Sequence, residues 1–181
     1  MKRRNFLIFG SAFGLLAYFG AKKDSARKDK DNVRKDNDFK TVFASVESTI
    51  AQVQAHMFPP NSNLPSASAM NATFFLSEAI SHQCFDRDTR AFILEGAQEL
   101  QTRIDGDFTA LTFEQKEQAL RAYEETGYGS SWLSQIMRLT MEAIFSDPIY
   151  GGNTDELGWK TLQSYGGFPR PTQKYIGVDH V

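Results

Sequence analysis

Trp132-Leu-Ser-Gln-Ile-Met-Arg-Leu-Thr-Met-Glu-Ala-Ile-Phe145, followed at once by Ser146-Asp-Pro-Ile-Tyr-Gly-Gly-Asn153, is the stretch that decides how this chain folds. In its first half, Trp132, Leu133, Ile136, Met137, Thr140, Ile144 and Phe145 recur at the spacing of a helix with one buried face. In its second half the helix is stopped. Pro148 removes a backbone donor and pushes Asp147 out of the helical region. Gly151 and Gly152 then accept backbone angles closed to residues with a side chain. Tyr150, Trp159 and Tyr165 surround this turn, where aromatic rings either cover a core or meet a partner.

Upstream, the same helical spacing repeats. From Phe43, apolar residues fall at Val46, Ile50, Val53 and Met57, ending at Pro59-Pro60. Residues 61–68, rich in Asn, Ser and Pro, read as a loop. A second periodic run spans Met70 to Cys84 through Phe74, Phe75, Leu76 and Ile80. Asp88 is the expected N-cap of a third helix carrying Phe92, Ile93, Ala97, Leu100 and Ile104, with Gly106 past its end. Thr112-Phe-Glu-Gln115 has capping-box form before Ala119, Leu120 and Tyr123. Gly127-Tyr-Gly129 reads as a break, with Ser130 or Ser131 capping the fifth helix. No segment alternates with period two for long enough to argue a sheet. The expectation is an all-α fold: one domain, residues 41–181, of about five helices with an irregular Gly- and aromatic-rich C-terminal arm.

The start of the chain has a different character. Lys2-Arg-Arg-Asn-Phe-Leu7 precedes an apolar run from Ile8 to Ala21, shorter than the roughly 20 residues of a comfortable membrane span. Arg3, Arg4, Phe6 and Leu7 resemble a twin-arginine export signal over residues 1–21. No triplet near Ala21 offers clean cleavage chemistry, so an uncleaved anchor stays open. Residues 22–40 are charge-rich, with Val33 the one sizeable aliphatic, and read as a disordered tether.

Charge is segregated along the 181 residues. Residues 1–40 hold eleven Lys/Arg against five Asp, whereas the rest holds nine basic and seventeen acidic side chains. An acidic domain offers no basic stripe for phosphates, which excludes a nucleic-acid role. The single Cys84 rules out an intrachain disulfide and an iron–sulfur cluster, and beside Phe85 it reads as a buried small hydrophobe. No dinucleotide fingerprint and no haem-attachment motif occur. His56, His82 and His180 lie far apart, without ligand spacing. Asp147, Asn153, Asp155 and Glu156 form an oxygen-rich group, but the frame of a calcium loop is missing and local turn bonds explain them better. No catalytic, cofactor-binding or metal-binding residue is assigned.

The run Ser146 to Lys160 resembles the signature of the gluconate 2-dehydrogenase subunit 3 family. Leu111-Thr-Phe-Glu-Gln-Lys116, Leu139-Thr-Met-Glu-Ala-Ile-Phe145, the helix ending at Phe58-Pro-Pro60 and the twin-arginine start match that family's layout, from Phe43 to Gly177. One departure follows Lys160: the family's Ile-Gly-Tyr-Pro-Gly is replaced by Thr161-Leu-Gln-Ser-Tyr-Gly-Gly-Phe-Pro169. The resemblance implies a non-catalytic accessory subunit of a periplasm-facing dehydrogenase at the inner membrane. It implies FAD in a large partner subunit, haem c in a cytochrome third subunit, and export through the twin-arginine translocase. Asp147, Tyr150, Gly151, Gly152, Asn153 and Trp159 are then the candidate partner interface, with closure of the helical core as their alternative role. A free-standing tethered enzyme or binding protein, or an export chaperone released after translocation, also fits these residues.

Overall fold

The computed structural model describes residues 39–104 and 107–174. The chain divides into Met1–Thr41, of which only residues 39–41 are described, and Val42–Val181, which holds the fold. Arg3, Arg4, Phe6 and Leu7 lie outside the described residues, as do most of the charged segment and Gly106. The described fold is all-α. Its helices are α1 (residues 39–57), α2 (Ala72–Ser81), α3 (Arg87–Arg103), α4 (Phe113–Glu124), α5 (Gly127–Phe145) and α6 (Leu157–Thr161). Single 3₁₀ turns stand at Phe108–Ala110, Pro148–Tyr150 and Thr154–Glu156. Helix α1 already runs at residues 39 and 40, and α6 is a short sixth helix inside the arm expected to be irregular.

Helix α5 is the central element, packing against α2, α3, α4 and α6. Its buried face is Trp132, Leu133, Ile136, Leu139, Thr140, Ala143 and Ile144. The rest of the core includes Val46, Ile50 and Val53 of α1, Leu76 and Ile80 of α2, Ile93, Ala97 and Leu100 of α3, and Tyr123 of α4, all buried. Each fully buried aliphatic contributes about 1.5–3 kcal/mol relative to exposure. Two of the large buried rings are tethered by their polar atoms: Trp132 Nε1 donates to the Ile93 carbonyl (2.9 Å) and Tyr123 Oη to the Gly96 carbonyl (3.0 Å). Burial pushes the Tyr123 phenol well above its ordinary range, with the nearby Glu99 charge adding to it.

A polar thread fixes α1 against its neighbours. Gln54 is fully buried; its Nε2 donates to Thr140 Oγ1 (3.0 Å) and its Oε1 accepts from Thr73 Oγ1 (2.7 Å). Thr140 Oγ1 in turn donates to the Ile136 carbonyl. Gln101 Nε2 donates to Thr49 Oγ1 (2.8 Å), joining α3 to α1. Sliding α1 by one residue would leave these buried groups unpaired, so they specify register as well as adding stability.

Three sequence expectations are corrected. Asp86, not Asp88, caps α3: its Oδ1 accepts from the Thr89 amide (2.8 Å) and hydroxyl (2.6 Å), while Asp88 lies in the first turn. Gly127-Tyr-Gly129 is the first turn of α5 rather than a break, because Thr126 Oγ1 accepts from the Gly129 amide (2.9 Å), leaving Ser130 and Ser131 within the helix. Helix α2 covers Ala72–Ser81, and Cys84 stands exposed in the turn that follows, not buried at a helix end. The Thr112–Gln115 capping box is present in full.

Candidate functional site

The last turn of any helix leaves carbonyl oxygens without intrahelical donors. At the end of α5 the segment 146–159 supplies the donors. Ser146 N bonds the Glu142 carbonyl (2.8 Å) and Ser146 Oγ bonds the Ala143 carbonyl (3.2 Å). Trp159 Nε1 reaches the Phe145 carbonyl (2.7 Å), and Asn153 Nδ2 reaches that of Ser146 (2.8 Å). The other end of the Asn153 amide accepts from the Gly158 amide (2.8 Å). One buried Asn thus ties the end of α5 to the start of α6. Gly158 permits this because a side chain there would collide with the Ile144 carbonyl and crowd Asn153 Oδ1.

Asp147 begins the turn after α5. Its Oδ1 accepts from the Ile149 amide (3.0 Å), capping the 3₁₀ turn that Pro148 opens. Gly151 closes that turn at φ 93, a left-handed conformation natural to glycine, and the Phe74 ring occupies the place of its missing side chain. The Gly151 carbonyl accepts from Asn71 Nδ2 (3.2 Å), which links the segment to the start of α2. Tyr150 is half-buried and packs on the cluster of Phe58, Ala67, Met70, Phe75 and Ile144. Gly152 is buried against Ala143.

Arg170 closes the arrangement from outside. Its Nε donates to Asp147 Oδ2 (2.7 Å), one terminal nitrogen donates to Glu156 Oε1 (2.9 Å), and its guanidinium lies 4.5 Å from the Trp159 ring centre. The Arg170 hydrogen bond holds the Asp147 carboxyl below its ordinary range, and Arg170 is itself raised by the same contact. A planar fork that pairs two carboxylates and stacks on an indole is a role for Arg that Lys does not fill. Beyond the clasp, the arm leaves Leu162, Tyr165 and Phe168 exposed.

The structure therefore places the six sequence-derived interface candidates in one continuous clasp, in unequal positions. Asn153, Gly152 and Trp159 are buried within the chain; Asp147, Tyr150 and Gly151 are partly exposed at its edge. Arg170, Asn71 and Phe74 belong to the same clasp, and sequence reasoning missed them. Arg170 sits between Pro169 and Pro171 with no periodicity to mark it, and its carboxylate partners are 23 and 14 residues away.

Elsewhere, two of the shallow recesses formed by described residues flank α5. One, about 470 Å³, is lined by Ser134, Met137, Arg138, Met141, Glu142 and Phe145. The other, about 220 Å³, includes His56 and Glu117. His56 Nε2 lies 2.7 Å from Glu117 Oε2, and its ring rests 4.3 Å from that of Phe113. This contact, with Arg121 beside it, holds Glu117 below its ordinary range. Both groups serve a bridge between α1 and α4. Among the described residues, no three of His, Cys, Asp and Glu come together to hold a metal ion, and no helix is long and apolar enough to cross a membrane.

No curated protein and no solved structure matches the chain. The model of one family does: gluconate 2-dehydrogenase subunit 3, over residues 44–167, which runs from the sixth residue of α1 through α6 to Gly167. With most of its length matched, and with Asp147 to Trp159 inside that match, this chain belongs to the gluconate 2-dehydrogenase subunit 3 family and is a subunit of a dehydrogenase complex of that type.

Proposed function

We propose that the chain is the non-catalytic small subunit of a periplasm-facing, FAD-dependent sugar or sugar-acid dehydrogenase. In this reading it supports the folding and stability of the flavoprotein subunit and carries it through the twin-arginine translocase. A cytochrome c subunit is the third component, and the complex sits at the inner membrane through its partners or an uncleaved N-terminal anchor.

One observation supports the reading: in the segment 146–159, the side chains of Asp147, Asn153 and Glu156 are turned to neighbours in the same chain. A clasp of this kind shapes a surface, and in this reading flavin chemistry belongs to the partner. Export of a folded complex agrees with Arg3-Arg4, since FAD is inserted before a folded protein crosses.

Purification of the tagged full-length chain from its own host tests the proposal. The expected result is co-elution with a larger, flavin-containing polypeptide that oxidises a sugar or sugar acid, and retention of both in the cytoplasm when Arg3 and Arg4 are replaced by Lys. Elution of the chain alone, without flavin absorbance, would sink it. So would turnover of a sugar by the isolated chain.

A further inference from the structure

Beyond α6 the chain runs through residues 161–169 without a single charged side chain. Leu162 is 55 % exposed, Tyr165 75 % and Phe168 85 %, and the two rings stack with centres 6.2 Å apart. Exposed aromatics are usually mobile, but this pair is held from both sides. On one side, the Gln163 amide bonds the Lys160 carbonyl (3.1 Å), the Ser164 amide bonds that of Trp159 (2.9 Å), and the Gly166 backbone lies against the Trp159 indole. On the other, Arg170 is locked to Asp147 and Glu156. The arm is a stapled loop with an apolar tip, and ordering it on binding costs little because the chain has already ordered it.

We propose that this tip, formed by Leu162, Tyr165 and Phe168, is the docking element for the flavoprotein subunit, seated in an apolar recess with carboxylates at its rim. The proposal rests on the reading of the chain as that protein's small subunit. Aromatic anchors surrounded by uncharged residues, with charge only at the border, are the composition of an interface centre. The basic residues of the run stand at its two ends. Residues 157–174 carry Lys160, Arg170 and Lys174 and no acid, whereas residues 41–156 carry six basic and sixteen acidic side chains. Arg170 is committed to the clasp. Lys160 Nζ bonds only the Asp155 main-chain carbonyl (2.7 Å), and Lys174 faces Glu78 across 3.6 Å with both about half exposed. Lys160 therefore faces no acid among the described residues, and Lys174 is held loosely by Glu78; a partner's acids can reach both.

Other occupants fit less well. Two lysines beside an acidic body attract an anionic lipid surface weakly. A two-fold self-contact through the arm would bring the lysines of both copies into one interface.

The test measures the affinity of the full-length chain for the purified flavoprotein subunit of its complex, for the wild type, Y165A, F168A, the double variant and K160E/K174E. The arm residues are exposed, so thermal unfolding should stay within a few degrees of wild type, on the order of surface substitutions. Binding should weaken about tenfold or more in each aromatic variant and about 30-fold or more in the double variant. It should also weaken in K160E/K174E, with a flatter dependence on salt. Unchanged affinity in the double variant overturns the arm while leaving the small-subunit reading intact. A wild type that does not bind overturns both. Phe168-dependent sedimentation with phosphatidylglycerol vesicles, or Phe168-dependent self-association of the chain, assigns the tip to lipid or to a second copy and overturns the proposal.

Discussion

Asn153 adopts φ 46 and ψ 49 and is completely buried, a position where a side chain is both strained and enclosed. Asn tolerates the left-handed region better than most residues. Here its amide also bonds the Ser146 carbonyl and the Gly158 amide at once. Asp155 (φ 55) and Glu156 (φ 59) share the left-handed conformation, so three such residues fall within four positions. Such strain, of order 1 kcal/mol or more per residue, persists only where the surroundings fix it. Asn153→Ala should cost about 2–4 kcal/mol in chemical denaturation, since it leaves a buried acceptor and a buried donor unpaired. A cost below about 0.5 kcal/mol, the range of an inert surface change, would show that water replaces both bonds. The residue types here were legible: Asp-Pro, Gly-Gly and Asn marked a helix stop. Their direction was not. Nothing local distinguishes an Asn that caps a neighbouring helix from one that greets a partner, because the distinction depends on groups brought back by the fold.

At the scale of elements, helix periodicity was the strongest signal in the chain: it gave most of the buried positions of α1, α3 and α5, but in α5 it counted Met137, which is exposed, and passed over the buried Leu139 and Ala143. Boundaries were less legible where glycines or alternative acids competed. The α5 start shows why. Gly127 and Gly129 look like a break, yet the Thr126 hydroxyl accepts the Gly129 amide, and a capped first turn accommodates them. Thr126→Ala should therefore destabilise the protein by about 1 kcal/mol, lowering the midpoint of denaturation without changing the slope. No change in midpoint would return the α5 start to the position expected from sequence. At the other end, α5 is closed in part by its own C-cap, Ser146, and in part by residues further along the chain. The donors from Asn153 and Trp159 arrive only because α6 packs back on it.

For the whole molecule, acid is the condition that reaches the clasp. Arg170 lowers the Asp147 pKa, and the Thr89 hydroxyl and amide do the same for Asp86. Thr109 lowers Asp107, and His56 followed by Arg121 lowers Glu117. A carboxylate with a depressed folded-state pKa contributes stability that is full above its ordinary value, about 4, and is lost as pH falls through the folded value. Thermal stability should accordingly hold near neutral pH and drop below about pH 4. Asp147→Asn should flatten that acid limb, since one titrating partner of Arg170 is gone; parallel curves for the two proteins would exclude Asp147 as a contributor. Sequence by itself determined the class of fold, the helix faces, the stop after Phe145 and the family resemblance, because each is written in local spacing and composition. Only the tertiary structure decided that Asn153, Gly152 and Trp159 turn inward, that Arg170 locks the clasp, and that Tyr165 and Phe168 are left outside. Those outcomes depend on contacts between residues far apart in the chain, and no local pattern encodes which of them will meet.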